Sequence, residues 1–148
     1  MRIRPADAAD IPAMMDLAQR TVTAAHWSRQ QYETLFCPDV PRRLALVVED
    51  AGVVAGFLIS RVAGPEWEIE NVAVAAATRR RGLGSQLLRS LIDYARAEKV
   101  QAIHLEVRES NRAARSLYEK WGFAETARRK RYYLDPAEDA VIYRLCFE

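Results

Sequence analysis

The chain has 148 residues, of which half are hydrophobic and 28% are charged. A single domain of this length buries roughly 68–70% of the surface that its unfolded chain exposes, so we predict one globular domain over residues 1–148 that needs no disulfide or metal to hold it. The 22 basic and 20 acidic residues give a formal net charge of +2, which is too near balance to favour non-specific binding to nucleic acid.

Cysteines and histidines form no ligand pattern in the sequence. Cys37 and Cys146 lie far apart, and neither His26 nor His104 adds a metal-type spacing to them, so we predict reduced thiols and no bound metal. No apolar run approaches the ~20 residues needed to cross a bilayer, and the N-terminus lacks the apolar stretch of a signal peptide. We therefore expect a cytoplasmic protein without a membrane partner.

Two helices are predicted first along the chain. Asp10 precedes an Ile-Pro pair as an N-cap residue would, and apolar residues recur at helical spacing from there to Val22. Ser28 and Gln31 have the spacing of a capping box, which predicts a second, short helix that ends near Cys37.

Three strands and the strongest helix of the chain follow. Ranges 43–49 and 53–61 flank a turn at 50–52 and are typical of an antiparallel hairpin, and 67–74 is predicted as a further strand. After Gly84 the apolar period becomes helical. The predicted buried stripe of this helix is Leu83, Leu87, Leu88, Leu91, Ile92 and Ala95.

The C-terminal third is predicted to alternate strands with one helix. A strand at 102–107 precedes a helix that runs from an N-cap at Ser110 to Trp121, and Gly122 stands where a left-handed residue is wanted. Two extended segments complete the chain. The order is α, α, β, β, β, α, β, α, β, β, and its central strand-helix-strand unit implies a right-handed parallel crossover. We therefore predict an α/β (α+β) fold with a mixed sheet.

The stretch Arg79-Arg80-Arg81-Gly82-Leu83-Gly84 joins a predicted strand to the start of the strongest helix. Free backbone N–H groups, the helix dipole and three arginines at such a turn favour a ligand that carries several phosphates. A dinucleotide fingerprint would need a third glycine where Leu87 stands, and a Walker loop would need Gly-Lys followed by Ser or Thr. An arginine-rich loop with two turn glycines is the structural alternative.

Arg-x-x-Gly-x-Gly at this place resembles the acetyl-CoA turn of the Gcn5-related N-acetyltransferase (GNAT) family. Glu70-Asn71-Val72-Ala73-Val74 resembles the family strand whose exposed backbone pairs with the pantetheine arm, and Asn111 with 114–118 resembles the helix across the cleft. The resemblance implies one acetyltransferase domain with about six to seven strands and about four helices, acetyl-CoA as donor and coenzyme A as product. The implied cofactor contacts are Val72, Ala73, Val74, Arg79, Arg80, Arg81, Gly82, Leu83, Gly84, Ser85, Asn111 and Tyr118.

Transfer of an acetyl group to an amine in a ternary complex requires a base for the amine's proton and a donor to the leaving thiolate. Glu106 lies opposite the apolar face of its strand and is the candidate base, its structural alternative being an ion pair with Arg108 or another arginine. Tyr118 follows Asn111 by seven residues and is the candidate donor to sulfur, its alternative being a core tyrosine. A backbone N–H near Val74 is expected to stabilise the oxyanion.

Further segments resemble the members of the family that acetylate the N-terminal alanine of a small-subunit ribosomal protein. Besides the glycine turn they are 27–28, 69–74, 105–111 with 117–119, and the tail 129–133 followed by 138–140, which is the most specific of them. An α-amine with a pKa of about 7.7–8.0 is neutral at pH 7 far more often than a lysine near ~10.4, which favours such an acceptor. His26 and Trp121 depart from the pattern of these members, and this leaves the fit of the substrate open. The implied substrate contacts are Trp27, Tyr32, Glu70, Asn71, Tyr132 and Tyr133.

Other functions stay open at this point. A small-molecule amine or a protein lysine is an alternative acceptor, and a non-catalytic acyl-CoA sensor is the alternative outside enzymes. We expect the basic run 128–131 to be a solvated strand end without direct nucleic-acid contact.

Overall fold

The computed structural model of the protein describes residues 1–21, 23–37, 42–76, 82–134 and 137–147. Its α-helices are α1 (Ile11–Gln19), α2 (Arg29–Thr34), α3 (Leu83–Ala97) and α4 (Arg112–Lys120). Its strands are β1 (Arg2–Pro5), β2 (Arg43–Asp50), β3 (Val53–Arg61), β4 (Glu66–Val74), β5 (Ala102–Arg108), β6 (Ala124–Tyr133) and β7 (Glu138–Cys146).

The seven strands form one sheet in the order β1-β2-β3-β4-β5-β7-β6. The β4–β5 pair is parallel and its neighbours are antiparallel, which confirms the predicted mixed sheet. The described residues contain seven strands and four α-helices, which agrees with the about six to seven strands and about four helices that the resemblance implied and is one strand more than the predicted chain order. Strand β1 was not predicted, because four residues of sequence Arg-Ile-Arg-Pro are too few to show a period.

Asp10 does not cap α1 with its side chain, contrary to the prediction. Its carboxylate accepts a hydrogen bond from the Asp7 backbone N–H at 2.8 Å, which closes a short 3-10 turn at Ala8–Asp10, and it is held by the guanidinium of Arg4 at 2.7 Å. The Arg4 partner keeps the pKa of Asp10 below its ordinary value. Val22, expected in the helix stripe, lies outside the described residues.

The other predicted helix signals are confirmed with one shift. Ser28 and Gln31 form the predicted capping box of α2, and every residue of the predicted α3 stripe is buried. The N-cap of α4 is Asn111 rather than Ser110, because Ser110 donates to the Glu138 carboxylate from both its backbone N–H and its hydroxyl. Gly122 has the expected left-handed backbone, with φ of +95°.

Helices cover the two faces of the sheet unequally. Helices α1 and α2 pack on one face of β2, β3 and β4, while α3 and α4 pack on the opposite face from β2 to β7. On the face that carries α1 and α2, strands β5, β7 and β6 are therefore not covered by a described helix. His104, Glu106 and Arg108 alternate with the buried residues of β5 and lie on this open face.

A bulge in β4 exchanges the two faces of that strand. Ser60 pairs with Ile69 and Ile59 pairs with Asn71, so Glu70 is an extra residue in β4. Before the bulge the odd-numbered residues face α3, as Ile69 does; after it Asn71 and Ala73 face the α1 side. Residue alternation alone therefore predicts the wrong face on one side of Glu70.

Strands β4 and β5 separate in the middle of the sheet. Their parallel pairing runs from Glu66 opposite Ala102 to Ile69 opposite Leu105 and ends there. Beyond this point β4 continues to Val74 and β5 to Arg108. The sheet therefore has a gap between the two strands, and Glu106 is the first β5 residue beside it.

Candidate active site

The β4 edge of the gap presents unpaired backbone groups. In an antiparallel pair, residues alternate between bonding their partner and pointing their N–H and C=O away from it. Ala75 donates its N–H to Ala55 O at 2.8 Å, so Val72 and Val74 have the opposite orientation and point into the gap. Ala73 lies between them with its side chain buried. Such an edge is what pairing with the pantetheine arm, which the resemblance implied, and an oxyanion donor near Val74 would require, and both stay predictions.

The first turn of α3 lies next to this edge. Gly82 is the N-cap with φ of +78°, and within the described part of the chain no side-chain hydrogen bond caps the helix at Leu83, Gly84 and Ser85. A Cβ on Gly84 would lie 3.3 Å from the Leu117 side chain in α4, so a larger residue there would require Leu117 to move. The turn therefore offers backbone donors and a helix dipole to an anion. Arg79, Arg80 and Arg81 lie outside the described residues.

Ser85 and Asn111 already have partners within the protein. The Ser85 hydroxyl accepts a hydrogen bond from the indole N–H of Trp121 at 3.3 Å, which ties the end of α4 to the first turn of α3. The Asn111 side-chain oxygen accepts from the Ala114 N–H at 3.2 Å and caps α4. Both residues stay predicted cofactor contacts, but the side-chain oxygen of Asn111 is already engaged in capping α4.

Tyr118 lies on the α4 side of the sheet and is 7% exposed. Its ring packs against those of Phe123 and Tyr143, with centroids 5.6 and 6.3 Å away. Burial raises the pKa of the hydroxyl to about 12, and no hydrogen bond joins this hydroxyl to another of the described residues. Tyr118 is thus a core tyrosine whose hydroxyl keeps its proton and its capacity to donate.

Glu106 lies on the open face of β5, beside the gap. Its carboxylate Oε1 is 3.2 Å from Nε of Arg129 on β6, and its side chain is 22% exposed. The structure thus shows both features considered for this residue: it faces the cleft, and it pairs with an arginine. Because Tyr118 and Glu106 lie on opposite faces of the sheet, the gap is where both can approach one molecule.

Tyr132 and Tyr133 continue the Glu106 side of the cleft. Their rings meet edge to face at 5.2 Å, and the guanidinium of Arg108 lies 4.2 Å from the centre of the Tyr133 ring. Burial, with a further contribution from the charge of Glu106, raises the pKa of the Tyr133 hydroxyl. Arg108 is itself held by Glu138 at 3.2 Å.

Trp27 and Tyr32 lie on the α1 side of the cleft. Trp27 is partly exposed, and the Arg43 guanidinium lies 5.7 Å from the centre of its ring. Tyr32 does not reach the surface: it is fully buried between Trp27 and Phe57, and its hydroxyl has no hydrogen-bond partner. Burial raises the pKa of this hydroxyl, an effect that the nearby Asn71 amide opposes. For Tyr32 to contact a substrate as predicted, the residues that cover it would have to move.

Glu70 and Asn71 hold other parts of the protein through the β4 bulge. Both oxygens of Glu70 receive hydrogen bonds from Arg43, at 2.6 and 3.2 Å. Asn71 is buried and makes two bonds to the backbone of Ala25: its oxygen accepts from the N–H at 3.0 Å and its amide nitrogen donates to the carbonyl at 3.2 Å. The side chain thus joins the α1–α2 loop to β4. Because both of its polar atoms bond Ala25, a substrate would contact residues next to Asn71 and not its side chain.

The predicted substrate residues lie on both sides of the gap between β4 and β5. Trp27, Glu70 and the buried Asn71 lie on the β4 side, and Glu106, Tyr132 and Tyr133 lie on β5 and β6. Sequence reasoning missed Arg43 and the role of Arg129 beside these residues, and it considered Arg108 as a partner of Glu106, whereas Arg108 contacts Tyr133 and Glu138. Only their cross-strand position beside acidic or aromatic residues singles them out, and that position requires the register of the sheet.

A sheet that opens between two parallel strands, beside an uncapped helix N-terminus, fits the resemblance found in the sequence. Residues 11–123, more than half of the chain, match the model of the Acetyltransferase (GNAT) family. The chain therefore belongs to this family and is an acetyl-CoA-dependent N-acetyltransferase. The extent of the domain over the whole range 1–148 stays a prediction.

Relatives with assigned activities cover nearly the whole chain. The [ribosomal protein bS18]-alanine N-acetyltransferase of Escherichia coli K12 is 38% identical over 138 residues, which are 92% of this chain and 90% of the relative. The enzyme of the same name from Haemophilus influenzae is 34% identical over 92% of both chains. A crystal structure of the ribosomal-protein-S18-alanine N-acetyltransferase from E. coli has a TM-score of 0.88 and 36% identity, covering 98% of this chain and 92% of that one.

Among the described residues, no helix combines the length and the apolar composition that a membrane crossing requires.

Proposed function

We propose that this protein acetylates the α-amine of the N-terminal alanine of ribosomal protein bS18. The observation that carries this proposal is the similarity, over nine-tenths of both chains, to an enzyme named for that reaction. The open cleft wall around Glu106 and Tyr133 supports it, because it leaves room for an extended chain end to approach the gap. We place the reaction in the cytoplasm, with no membrane or nucleic-acid partner.

The reaction takes place by direct attack while both substrates are bound. The neutral amine nitrogen forms a bond to the carbonyl carbon of the acetyl group, and the C–S bond breaks with its electron pair going to sulfur. Glu106 receives the proton that the amine loses, directly or through water. Acetyl-CoA lies along the Val72–Val74 edge with its pyrophosphate on the first turn of α3, and the N–H of Val74 stabilises the oxyanion.

Tyr118 donates a hydrogen bond to the departing sulfur. A phenol whose pKa is about 12 is a much weaker acid than an ordinary thiol near pKa ~8.5, so full transfer of its proton to the thiolate would be uphill. Tyr118 therefore stabilises the developing thiolate without ionising. This sharpens the role expected from the sequence, because burial leaves the residue a donor rather than a strong acid.

The acceptor is tested with three substrates, of which the two peptides are matched in charge. A peptide with the first residues of bS18 is compared with the same peptide blocked at its N-terminus but carrying a lysine, and with a free polyamine. We expect mass spectrometry to show one added acetyl group on the N-terminal alanine of the first peptide and little product from the others. Faster acetylation of the blocked peptide or of the polyamine would replace the ribosomal acceptor by a lysine or a small amine.

The roles of Glu106 and Tyr118 predict two separate losses of turnover. Glu106→Gln removes the base and should lower kcat by about 10²- to 10⁴-fold. Tyr118→Phe keeps the ring packing and removes one charge-assisted hydrogen bond, so kcat should fall about 10- to 150-fold. Thiol release at saturating substrates measures both. Glu109→Gln and Tyr94→Phe are the matched controls, because Glu109 pairs with Arg128 and Tyr94 is exposed on α3; wild-type kcat in Glu106→Gln would contradict the mechanism.

A further inference from the structure

We propose that Arg129 is a positioning residue that holds one carboxylate oxygen of Glu106. Through its charge, Arg129 favours the neutral form of the substrate amine that binds at the other oxygen of this carboxylate. The proposal rests on the proposed function, in which Glu106 receives the amine's proton. It assigns a role to a side chain of the basic run 128–131, which the sequence predicted to be a solvated strand end.

The pair between Arg129 and Glu106 crosses an intervening strand. Arg129 pairs in register with Ala140 of β7, and Glu106 pairs with Ile142, so the guanidinium reaches diagonally over β7 to the carboxylate. Ala140 is fully buried at this crossing and presents only a methyl group. A small residue in the middle strand is what allows the arginine to span the distance.

An irregularity in β6 places Arg129 in this position. Between Arg129 opposite Ala140 and Tyr133 opposite Glu138, β6 has three residues where β7 has one. Within this bulge Arg131 has φ of +52°, and its N–H donates to the Asp139 carboxylate at 3.0 Å. The Tyr132 ring lies 5.1 Å from the Arg129 guanidinium carbon, so Arg129 is held by a ring on one side and by Glu106 on the other.

The neighbouring arginine has a different environment. Arg128 pairs with Glu125 at 3.0 Å and with Glu109 at 2.7 Å. It is opposite Val141, whose side chain faces the α3–α4 core, whereas Arg129 reaches the open face. The two arginines therefore differ in whether they contact Glu106, although they share the same strand, charge and size.

The charge of Arg129 addresses a conflict in the reaction. An N-terminal amine with a pKa of about 7.7–8.0 arrives mostly as an ammonium at pH 7, and only its neutral form can attack. A lone carboxylate would stabilise the ammonium. A guanidinium on the same carboxylate offsets that attraction and lets the bound amine lose its proton at a lower pH.

The strands on both sides of Glu106 carry other charged and titratable groups, which stay unchanged when Arg129 is replaced. They are His104 and Arg108 on β5, Tyr132 and Tyr133 on β6, Glu138 on β7, and Glu68 and Glu70 on β4. Arg108 is compensated by Glu138, and Glu70 by Arg43. A change seen in an Arg129 variant therefore reports the loss of the Arg129 charge itself.

The test measures kcat and KM for an alanine-starting peptide between pH 6 and 9, at saturating acetyl-CoA, in the full-length chain. In Arg129→Gln we expect the acid limb of the pH profile of kcat to shift to higher pH by about one unit. At pH 7 kcat should then fall several-fold, while KM for the peptide stays unchanged or falls. Arg129→Lys keeps the charge and should keep the acid limb. Arg128→Gln, the matched control, should behave as wild type in both constants.

The proposal is overturned if Arg129→Gln keeps the acid limb of the wild type, or if Arg128→Gln shifts it equally. The Arg129 side chain is 55% exposed, so the variant should fold, and its thermal unfolding with and without acetyl-CoA verifies this. Turnover in Glu106→Gln separates the hypothesis that Glu106 is the base from the hypothesis that Arg129 positions it. If that variant is inactive and Arg129→Gln is normal, only the role of Arg129 fails; if Glu106→Gln remains active, the base itself is misassigned.

Discussion

Gly52 and Gly82 have the same backbone conformation and different surroundings. Their φ angles are +79° and +78°, and a Cβ at either position would meet no atom of the described residues within 4 Å. The expected cost of a methyl group at either position is therefore conformational. Gly52 turns the β2–β3 hairpin, whereas Gly82 sets the direction of the first N–H groups of α3.

Alanine at these two positions should separate stability from cofactor binding. A left-handed backbone costs a non-glycine residue roughly 1–2 kcal/mol, so Gly52→Ala and Gly82→Ala should lower the unfolding temperature by similar amounts. Only Gly82→Ala should raise KM for acetyl-CoA, because it alone alters the turn beside the phosphates. Thermal unfolding and steady-state kinetics measure the two effects. An equal change of KM in Gly52→Ala would contradict the assignment of the turn.

At the scale of elements, Asn71 clamps the α1–α2 loop to β4. Asn71→Ala removes two hydrogen bonds and leaves the N–H and C=O of Ala25 without their partner. We expect a loss of about 1–3 kcal/mol in the free energy of unfolding and a higher KM for the peptide, with little change in KM for acetyl-CoA. Urea unfolding and kinetics measure these effects.

The control for this clamp is Tyr32→Phe, which lies beside Asn71. It removes a buried hydroxyl without a hydrogen bond, so the free energy of unfolding should stay the same or increase. A loss in Tyr32→Phe as large as that in Asn71→Ala would mean that the Tyr32 hydroxyl itself makes a stabilising hydrogen bond, because the substitution keeps the ring, and the loss in Asn71→Ala could then not be assigned to the two hydrogen bonds to Ala25 alone.

The elements that the sequence predicted are those with a local signal. The α3 stripe, the Ser28 capping box and the β2–β3 hairpin each depend on residues within one element or one turn. The bulge at Glu70 depends on the register with β3, which no local pattern contains. The N-cap of α4 was displaced by one residue because Ser110 and Asn111 are equally suited, and the Glu138 carboxylate, 28 residues away, decides between them.

The candidate site was predictable in part for the same reason. Alternation on β5 predicted that Glu106 lies opposite Leu105 and Val107, and the structure has it so. That Glu106 and Tyr118 approach one place depends on the point where β4 and β5 separate, which no local sequence pattern marks. The sequence showed Arg129 within the basic run 128–131 and the tail 129–133 but gave it no role, because its carboxylate partner lies across another strand.

At the scale of the whole molecule, Arg4 connects the first strand to two other segments. Its guanidinium pairs with Asp10 at 2.7 Å and with Glu49 of β2 at 2.7 Å. Because Arg4 lowers the pKa of Asp10 below the ordinary 3.8, the pair contributes stability above that value. The contribution is lost as the pH falls through the lower pKa of the folded state.

Asp10→Asn should therefore be less stable than the wild type near pH 6, and the difference should shrink as the pH falls below about 3.8. Urea unfolding at several pH values between 6 and 2.5 measures this convergence. Asp16→Asn is the matched control, since Asp16 forms an exposed pair with Arg20 four residues away and should show little difference at any pH. A constant difference for Asp10→Asn across this range would contradict the prediction.

The short pairing between β4 and β5 makes the sheet a two-part structure. Four residue pairs join the strands before the gap to those after it, and the bound donor would add hydrogen bonds where the ladder stops. Bound acetyl-CoA is thus expected to act like an additional strand between β4 and β5 and to couple the two parts of the sheet. Amide exchange at Val72 and Val74 should slow when the donor binds, and opening of the sheet along this line should become rarer although no protein contact has changed.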